Sequence, residues 1–234
     1  MRRSILICLL ALAPMAASQA ADDAPTTPTQ EATAMSDDPE TTETLQARGP
    51  MYPLVQMQTS MGDFVLELDA EKAPITVLNF IDYLEAGFYN NTVFHRVIEG
   101  FMIQGGGFHP DYTRKTEGLR PPIKNEWRNG LKNERGTIAM ARVGNQHDSA
   151  TSQFFINVED NRSLDQPGDG AAYAVFGKVV RGMETVDEIR VVPTRQTRVS
   201  EATPLRQIVI RQVRLVSEFD REAAEKLAEA AQGR

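Results

Sequence analysis

The chain has 234 residues, 41% of them hydrophobic, with a formal charge of -7 and one cysteine. That length allows one or two domains with a buried core. The acidic balance, 25 basic against 32 acidic residues, argues against a nucleic-acid binder. A single cysteine excludes a disulfide framework.

The chain opens on a short basic stretch, Met1-Arg2-Arg3-Ser4, followed by an apolar run from Ile5 to Ala13 that Pro14 breaks. Ser18 and Ala20 then place small residues at the -3 and -1 positions of a cleavage site. This is the layout of a secretory signal peptide over residues 1–20, and it predicts a periplasmic or otherwise exported protein. The apolar run is shorter than the ~20 residues a membrane span needs, so no stable membrane span is expected. Cleavage after Ala20 would remove Cys8, and with it any thiol nucleophile. Residues 21–50 carry seven acids and one arginine among Pro, Thr and Ala, without apolar periodicity. Such a segment cannot bury enough surface to offset its ordering entropy and reads as a disordered acidic linker. The remainder is near neutral.

Residues 51–217 are expected to form one domain. Leu54 to Gln58 and Phe64 to Leu68 alternate apolar with polar residues around a turn-rich bridge, which predicts a β-hairpin. Pro74 to Leu84 follows as a helix, with Pro in the first turn and Gly87 as its stop. Val93 to Ile98 and Phe101 to Gln104 are short strands broken at Gly100. Residues 107–135 are rich in Gly, Pro, Asn and charge and read as a long loop. Strands are expected again at Thr137 to Ala141, Gln153 to Val158, Tyr173 to Val180 and Leu205 to Val216, with a short helix from Met183 to Arg190. Strands dominate, so the fold class is mainly β: a sheet closed into a barrel and capped by two helices. Residues 218–234, rich in Ala and Glu, read as a frayed or loosely docked helical tail outside the domain.

The informative stretch is FHRVIEGFMIQGGGF, Phe94 to Phe108. It sets Arg96, Gln104 and several large apolar groups close together on two adjacent strands, with glycines that would let another backbone approach. On spacing alone, a barrel core with an arginine reaching to solvent explains it equally well. His95, His109 and His147 lack metal-ligand spacing, and Gly105-Gly106-Gly107 lacks the Lys and Ser/Thr of a phosphate loop. No metal or cofactor is expected.

FHRVIEGFMIQGGGF resembles the signature of the cyclophilins. GTIAMA at Gly136 to Ala141, SQFFI at Ser152 to Ile156 and VFGKVVRGM at Val175 to Met183 are similar to later segments of that family, in the same order. The resemblance covers about residues 52–216. Together with the export signal, it is nearest to the bacterial periplasmic branch. It implies a closed antiparallel eight-stranded barrel and a monomeric peptidyl-prolyl cis–trans isomerase (rotamase) acting on proline-containing polypeptides during protein folding. It implies Arg96 as the catalytic residue. Phe101, Met102, Phe155 and Leu164 would hold the proline ring and Gln104 the substrate carbonyl. Ala141 and the backbone at Arg142 would flank the peptide, with His95, Gln153 and Tyr173 at the groove's edge. Two positions depart from the family pattern: Ser163 stands where a Trp is frequent, and Tyr173 where a His precedes the VFGKV segment. They bear on cyclosporin binding and substrate preference and leave the arginine and apolar pocket intact. The alternative function is a Pro-peptide binding module or chaperone whose catalysis is incidental.

Overall fold

A computed structural model describes residues 45–166 and 170–233. The signal peptide and nearly all of the acidic linker lie outside them. The elements in chain order are β1 (Leu54–Thr59), β2 (Gly62–Leu68), α1 (Pro74–Glu85), β3 (Thr92–Val93), β4 (Arg96–Ile98), β5 (Met102–Gly105), β6 (Thr137–Met140), β7 (Phe154–Asn157), a 3-10 turn (Arg162–Asp165), β8 (Val175–Arg181), α2 (Met183–Arg190), β9 (Thr194–Arg195), β10 (Thr203–Pro204), β11 (Val209–Leu215) and α3 (Arg221–Gln232).

Among the described residues, nine strands form one antiparallel sheet in the order β3-β11-β1-β2-β8-β6-β7-β5-β4, and β9 pairs with β10 separately. This corrects the expected closed eight-stranded barrel. The sheet curls, but its two end strands, β3 and β4, do not pair with each other. They are successive in the chain, joined by Phe94 and His95. The Phe94 N–H donates to Ile208 O at 3.0 Å and the His95 N–H to Gln104 O at 3.0 Å. The chain itself crosses the gap that a hydrogen-bonded ladder would otherwise close.

Side-chain alternation assigns the two faces of β5 to β8. Ile103, Ile138, Met140, Phe154, Ile156 and Phe176 enter the main core, while Met102, Ala139, Phe155 and Val175 form a second buried cluster on the other face. In the main core Phe80 of α1 packs on Tyr89, Phe154 and Phe176, with ring centroids 4.9, 5.7 and 5.3 Å away.

Helix α1 starts at Pro74, whose missing N–H costs nothing in the first turn, yet Ala73 before it has no capping side chain. Glu126, from the long loop before β6, supplies the cap. Its carboxylate accepts from Ile75 N at 3.1 Å, Thr76 N at 2.8 Å and Thr76 Oγ1 at 2.7 Å. Burial raises the Glu126 pKa above the ordinary carboxylate value, and the Thr76 bonds oppose that shift.

The ends of the domain differ from expectation. Arg48, assigned to the linker, pairs with Glu67 at 2.9 Å and stacks 3.7 Å over the Tyr52 ring. The tail helix is docked rather than loose. Asp220 caps α3 by accepting from Ala223 N, and Ala224 and Ala228 are buried. Arg221 reaches α1, donating to Asp82 at 2.8 Å and Glu85 at 2.7 Å. No helix among the described residues is long and apolar enough to cross a membrane.

Candidate active site

Strand register builds the site. Arg96 faces Gln104 across β4–β5, Gln104 faces Phe155 across β5–β7, and Phe155 faces Ala139 across β7–β6. Residues directly opposite in adjacent strands project to the same face. One row across the curled sheet therefore presents a guanidinium, a carboxamide and an aromatic ring in succession. Spacing between strands of ~4.8 Å puts Arg96 and Phe155 about 10 Å apart along that row.

Above the row lies a cavity of about 280 Å³ lined by Arg96, Phe101, Met102, Gln104, Ala141, Arg142, Phe155, Leu164 and Tyr173. It is slightly smaller than the roughly 300–1,000 Å³ of sites for drug-sized ligands, and suits one side chain of a longer peptide. Met102 and Phe155 form its buried floor. Tyr173 meets Phe155 edge-on at 5.6 Å, and the Arg142 guanidinium lies 4.6 Å over the Tyr173 ring.

The polar side of the cavity is organised by hydrogen bonds. Arg96 Nη1 lies 3.4 Å from Gln104 Oε1 and 3.8 Å from Met102 Sδ. Gln104 Nε2 donates to Gln153 Oε1 at 3.0 Å, which fixes which end of the Gln104 amide faces the arginine. The neighbouring glycines provide the room anticipated for them. A Cβ on Gly106 would lie 2.9 Å from the Ser152 carbonyl oxygen, and one on Gly107 2.5 Å from Gln153 Cγ.

The structure brings nine of the eleven residues singled out in the sequence to the cavity; Gln153 stands at its edge and His95 does not reach it. Gln153 lies behind Gln104 and lines an adjoining recess of about 90 Å³ with Arg114, Ser149 and Thr151. His95 does not line the cavity. It is 3% exposed, with its ring 4.4 Å from that of Phe108. Burial lowers its pKa from 6.5 to about 4, the nearby Arg96 charge adding to the effect, so it is neutral at physiological pH. Ser163 is exposed in the 3-10 turn beside Leu164.

Four further residues of the site were not singled out in the sequence. Asn133, Asn157 and Asn161 form a buried amide relay: Asn161 Nδ2 donates to Asn157 Oδ1 and Phe101 O, both at 2.7 Å, and Asn157 Nδ2 to Asn133 Oδ1 at 3.1 Å. Asn133 in turn donates to Asp165 at 2.9 Å and to Tyr173 O at 3.3 Å. The relay ties Phe101, on one wall, to the turn that carries Leu164. Glu201 is the fourth. It binds Arg96 although 105 residues separate them, and that bond is the main reason its carboxyl titrates below the usual range. Only Asn157, a polar residue closing the apolar strand FFI, offered a hint.

This chemistry needs no nucleophile. The site pairs a permanently charged donor with an apolar pocket, beside an amide that can hold a peptide group. The family profile described as "Cyclophilin type peptidyl-prolyl cis-trans isomerase/CLD" matches residues 54–215. The chain is 52% identical over 162 residues to peptidyl-prolyl cis-trans isomerase A of Dickeya dadantii, covering 69% of this chain and 84% of that one. It is 51% identical over 163 residues to peptidyl-prolyl cis-trans isomerase B of Escherichia coli, covering 68% and 98%. Among solved structures, a Cryptosporidium parvum cyclophilin type peptidyl-prolyl cis-trans isomerase superposes with a TM-score of 0.59 at 29% identity, covering 71% of this chain and 99% of that one. A second structure of that protein, in the presence of the dipeptide Ala-Pro, gives a TM-score of 0.58 at 28% identity, covering 70% and 99%. The curled sheet, the arginine at the lip of an apolar pocket and these matches agree: the chain belongs to the cyclophilin-type peptidyl-prolyl cis–trans isomerases.

Proposed function

We propose that this isomerase works outside the cytoplasm as a monomer, accelerating X–Pro isomerisation in exported polypeptides while they fold, with Arg96 as its catalytic residue. One observation carries the mechanism: Arg96 Nη1 stands beside Gln104 at the edge of a cavity floored by Met102 and Phe155.

Rotation about an X–Pro bond faces a barrier of ~18–20 kcal/mol because it breaks amide resonance. In the twisted state the prolyl nitrogen regains a lone pair. A donor aimed at that nitrogen binds the twisted state better than either planar state, and only such differential binding accelerates the reaction. Arg96 supplies the donor at any physiological pH. Phe101, Met102, Phe155 and Leu164 hold the proline ring, so that rotation moves the residue before it. Gln104 holds the substrate carbonyl, and Ala141 and Arg142 guide the chain on toward Gln153. His95, buried and neutral, acts as packing behind Arg96.

Uncatalysed X–Pro isomerisation takes tens to hundreds of seconds and can limit folding, which gives an exported isomerase its use. The export reading is supported by the basic start, apolar run and small-residue cleavage site of residues 1–20. Fractionation of the native host, with mass spectrometry of the recovered protein, tests it. A periplasmic protein beginning at Ala21 is expected. A full-length chain in the cytoplasm would overturn the export reading.

A further inference from the structure

The Arg96 guanidinium has two edges, and one is occupied. Glu201 Oε1 accepts from Nε at 2.8 Å and from Nη2 at 2.6 Å. Nη1, on the other edge, is left toward Gln104 and Met102.

Glu201 sits on a built loop. Thr197 N donates to Ser200 O at 2.8 Å, the Thr197 and Thr203 hydroxyls meet at 2.7 Å, and Ala202 N donates to Ser200 Oγ at 3.0 Å. Thr203 and Ser200 are buried. The loop is stitched to the arginine's own strand, where Val97 N donates to Ala202 O at 2.9 Å. The carboxylate is therefore placed by backbone bonds to β4 rather than by its own reach.

We infer that Glu201 is a positioning residue for Arg96: by taking the Nε–Nη2 edge it fixes the guanidinium plane and leaves Nη1 as the donor presented to the substrate. An arginine has several soft torsions, and a planar donor held on one edge loses little further freedom when the other edge binds. The inference rests on the assignment of Arg96 above. Both partners are partly exposed, with side chains 27% and 57% accessible. Solvent screens such a pair, so the effect on rate is moderate.

The test measures kcat and KM by NMR exchange spectroscopy on a short X–Pro peptide, with water exchange of the Arg96 Nε–H followed on labelled protein. The proteins are wild type, Glu201→Ala, Glu201→Gln, Arg96→Ala and the Arg96→Ala/Glu201→Ala double variant. Val97 and Ala202 amide shifts report whether the loop keeps its place, and Glu201→Gln, nearly isosteric, serves if the alanine variant disturbs it. Glu201→Ala should lower kcat about three- to fivefold with KM within about twofold, and should speed exchange of the Arg96 Nε–H. Glu201→Gln should recover part of the loss, because its amide oxygen still accepts from Nε. In the Arg96→Ala background the second change should have no further effect. Wild-type kcat with unchanged Nε–H exchange in Glu201→Ala, or an equal loss in both backgrounds, would overturn the inference while leaving Arg96 in place. Wild-type turnover in Arg96→Ala would remove the assignment of Arg96 and this inference with it.

Discussion

Glu126 offers a quantitative check on how the fold is held. It caps a helix 51 residues away in sequence, and three donors converge on its carboxylate: Ile75 N, Thr76 N and Thr76 Oγ1. Glu126→Ala leaves the two backbone N–H groups without that acceptor, because Ala73 has no side-chain oxygen to take over. Loss of an N-cap costs ~0.5–2 kcal/mol, and hydrogen bonds to a charged group contribute ~1.5–3 kcal/mol each when formed. The desolvation that raises the Glu126 pKa offsets part of this, so the net loss should be about 2–3 kcal/mol. For a domain of this size that corresponds to a fall in Tm of roughly 5–10 °C. Trp127, next in sequence and the chain's one tryptophan, gives a fluorescence signal for urea unfolding. Glu126→Gln should cost about half as much, since its oxygen replaces one acceptor while its NH₂ faces a donor. Hydrogen exchange at Ile75 and Thr76 should accelerate in both variants. Stability within 0.5 kcal/mol of wild type in Glu126→Ala, with unchanged exchange at those amides, would refute the cap.

Two further predictions concern stability away from the groove. His95 has a folded pKa near 4, below its ordinary 6.5, so the unfolded chain takes up the proton first. Its neutral burial supports the fold fully above pH 6.5 and progressively less down to pH 4, a loss of about 3 kcal/mol across that window. Urea midpoints should trace the loss, and His95→Gln should remove that component of the pH slope; an unchanged slope would contradict the assignment. Deleting residues 218–234 removes buried Ala224 and Ala228 and the Arg221 pairs to α1, which should lower stability by about 2–3 kcal/mol. No α3 residue lines the groove, so kcat on a short peptide should stay within twofold, and a larger drop would mean that the helix supports the site.

Much of the site could be named from the sequence through the family resemblance, and little of it through periodicity. Met102 and Ile103, and Phe154, Phe155 and Ile156, are all apolar, so only the structure separates groove from core. What alternation cannot give is register, so the row Arg96–Gln104–Phe155 had to come from the structure. The resemblance implied His95 at the groove's edge, yet successive residues in extended chain point to opposite faces, and its ring is buried against Phe108. Glu126, Glu201 and the Asn133–Asn157–Asn161 relay act across long sequence separations through polar atoms, which carry no periodic signal. The closed barrel failed for a related reason. Strand counting gives no information about whether the last two edges meet, and here Phe94 and His95 span them instead. The docking of α3 was missed because its buried face is made of alanines, whose apolar signal is weak.

In the proposed mechanism Arg96 Nη1 stabilises the twisted prolyl bond. Exchange spectroscopy on an X–Pro peptide, with the affinity for that peptide measured alongside, tests it on wild type and Arg96→Ala. Loss of one charge-assisted hydrogen bond, ~1.5–3 kcal/mol, corresponds to roughly a tenfold to hundredfold fall in kcat. The apolar pocket is untouched by the substitution, so peptide affinity should stay within about threefold. A variant that folds, binds the peptide and still turns it over at the wild-type rate would contradict the mechanism and leave the groove as a binding surface whose catalysis comes from elsewhere.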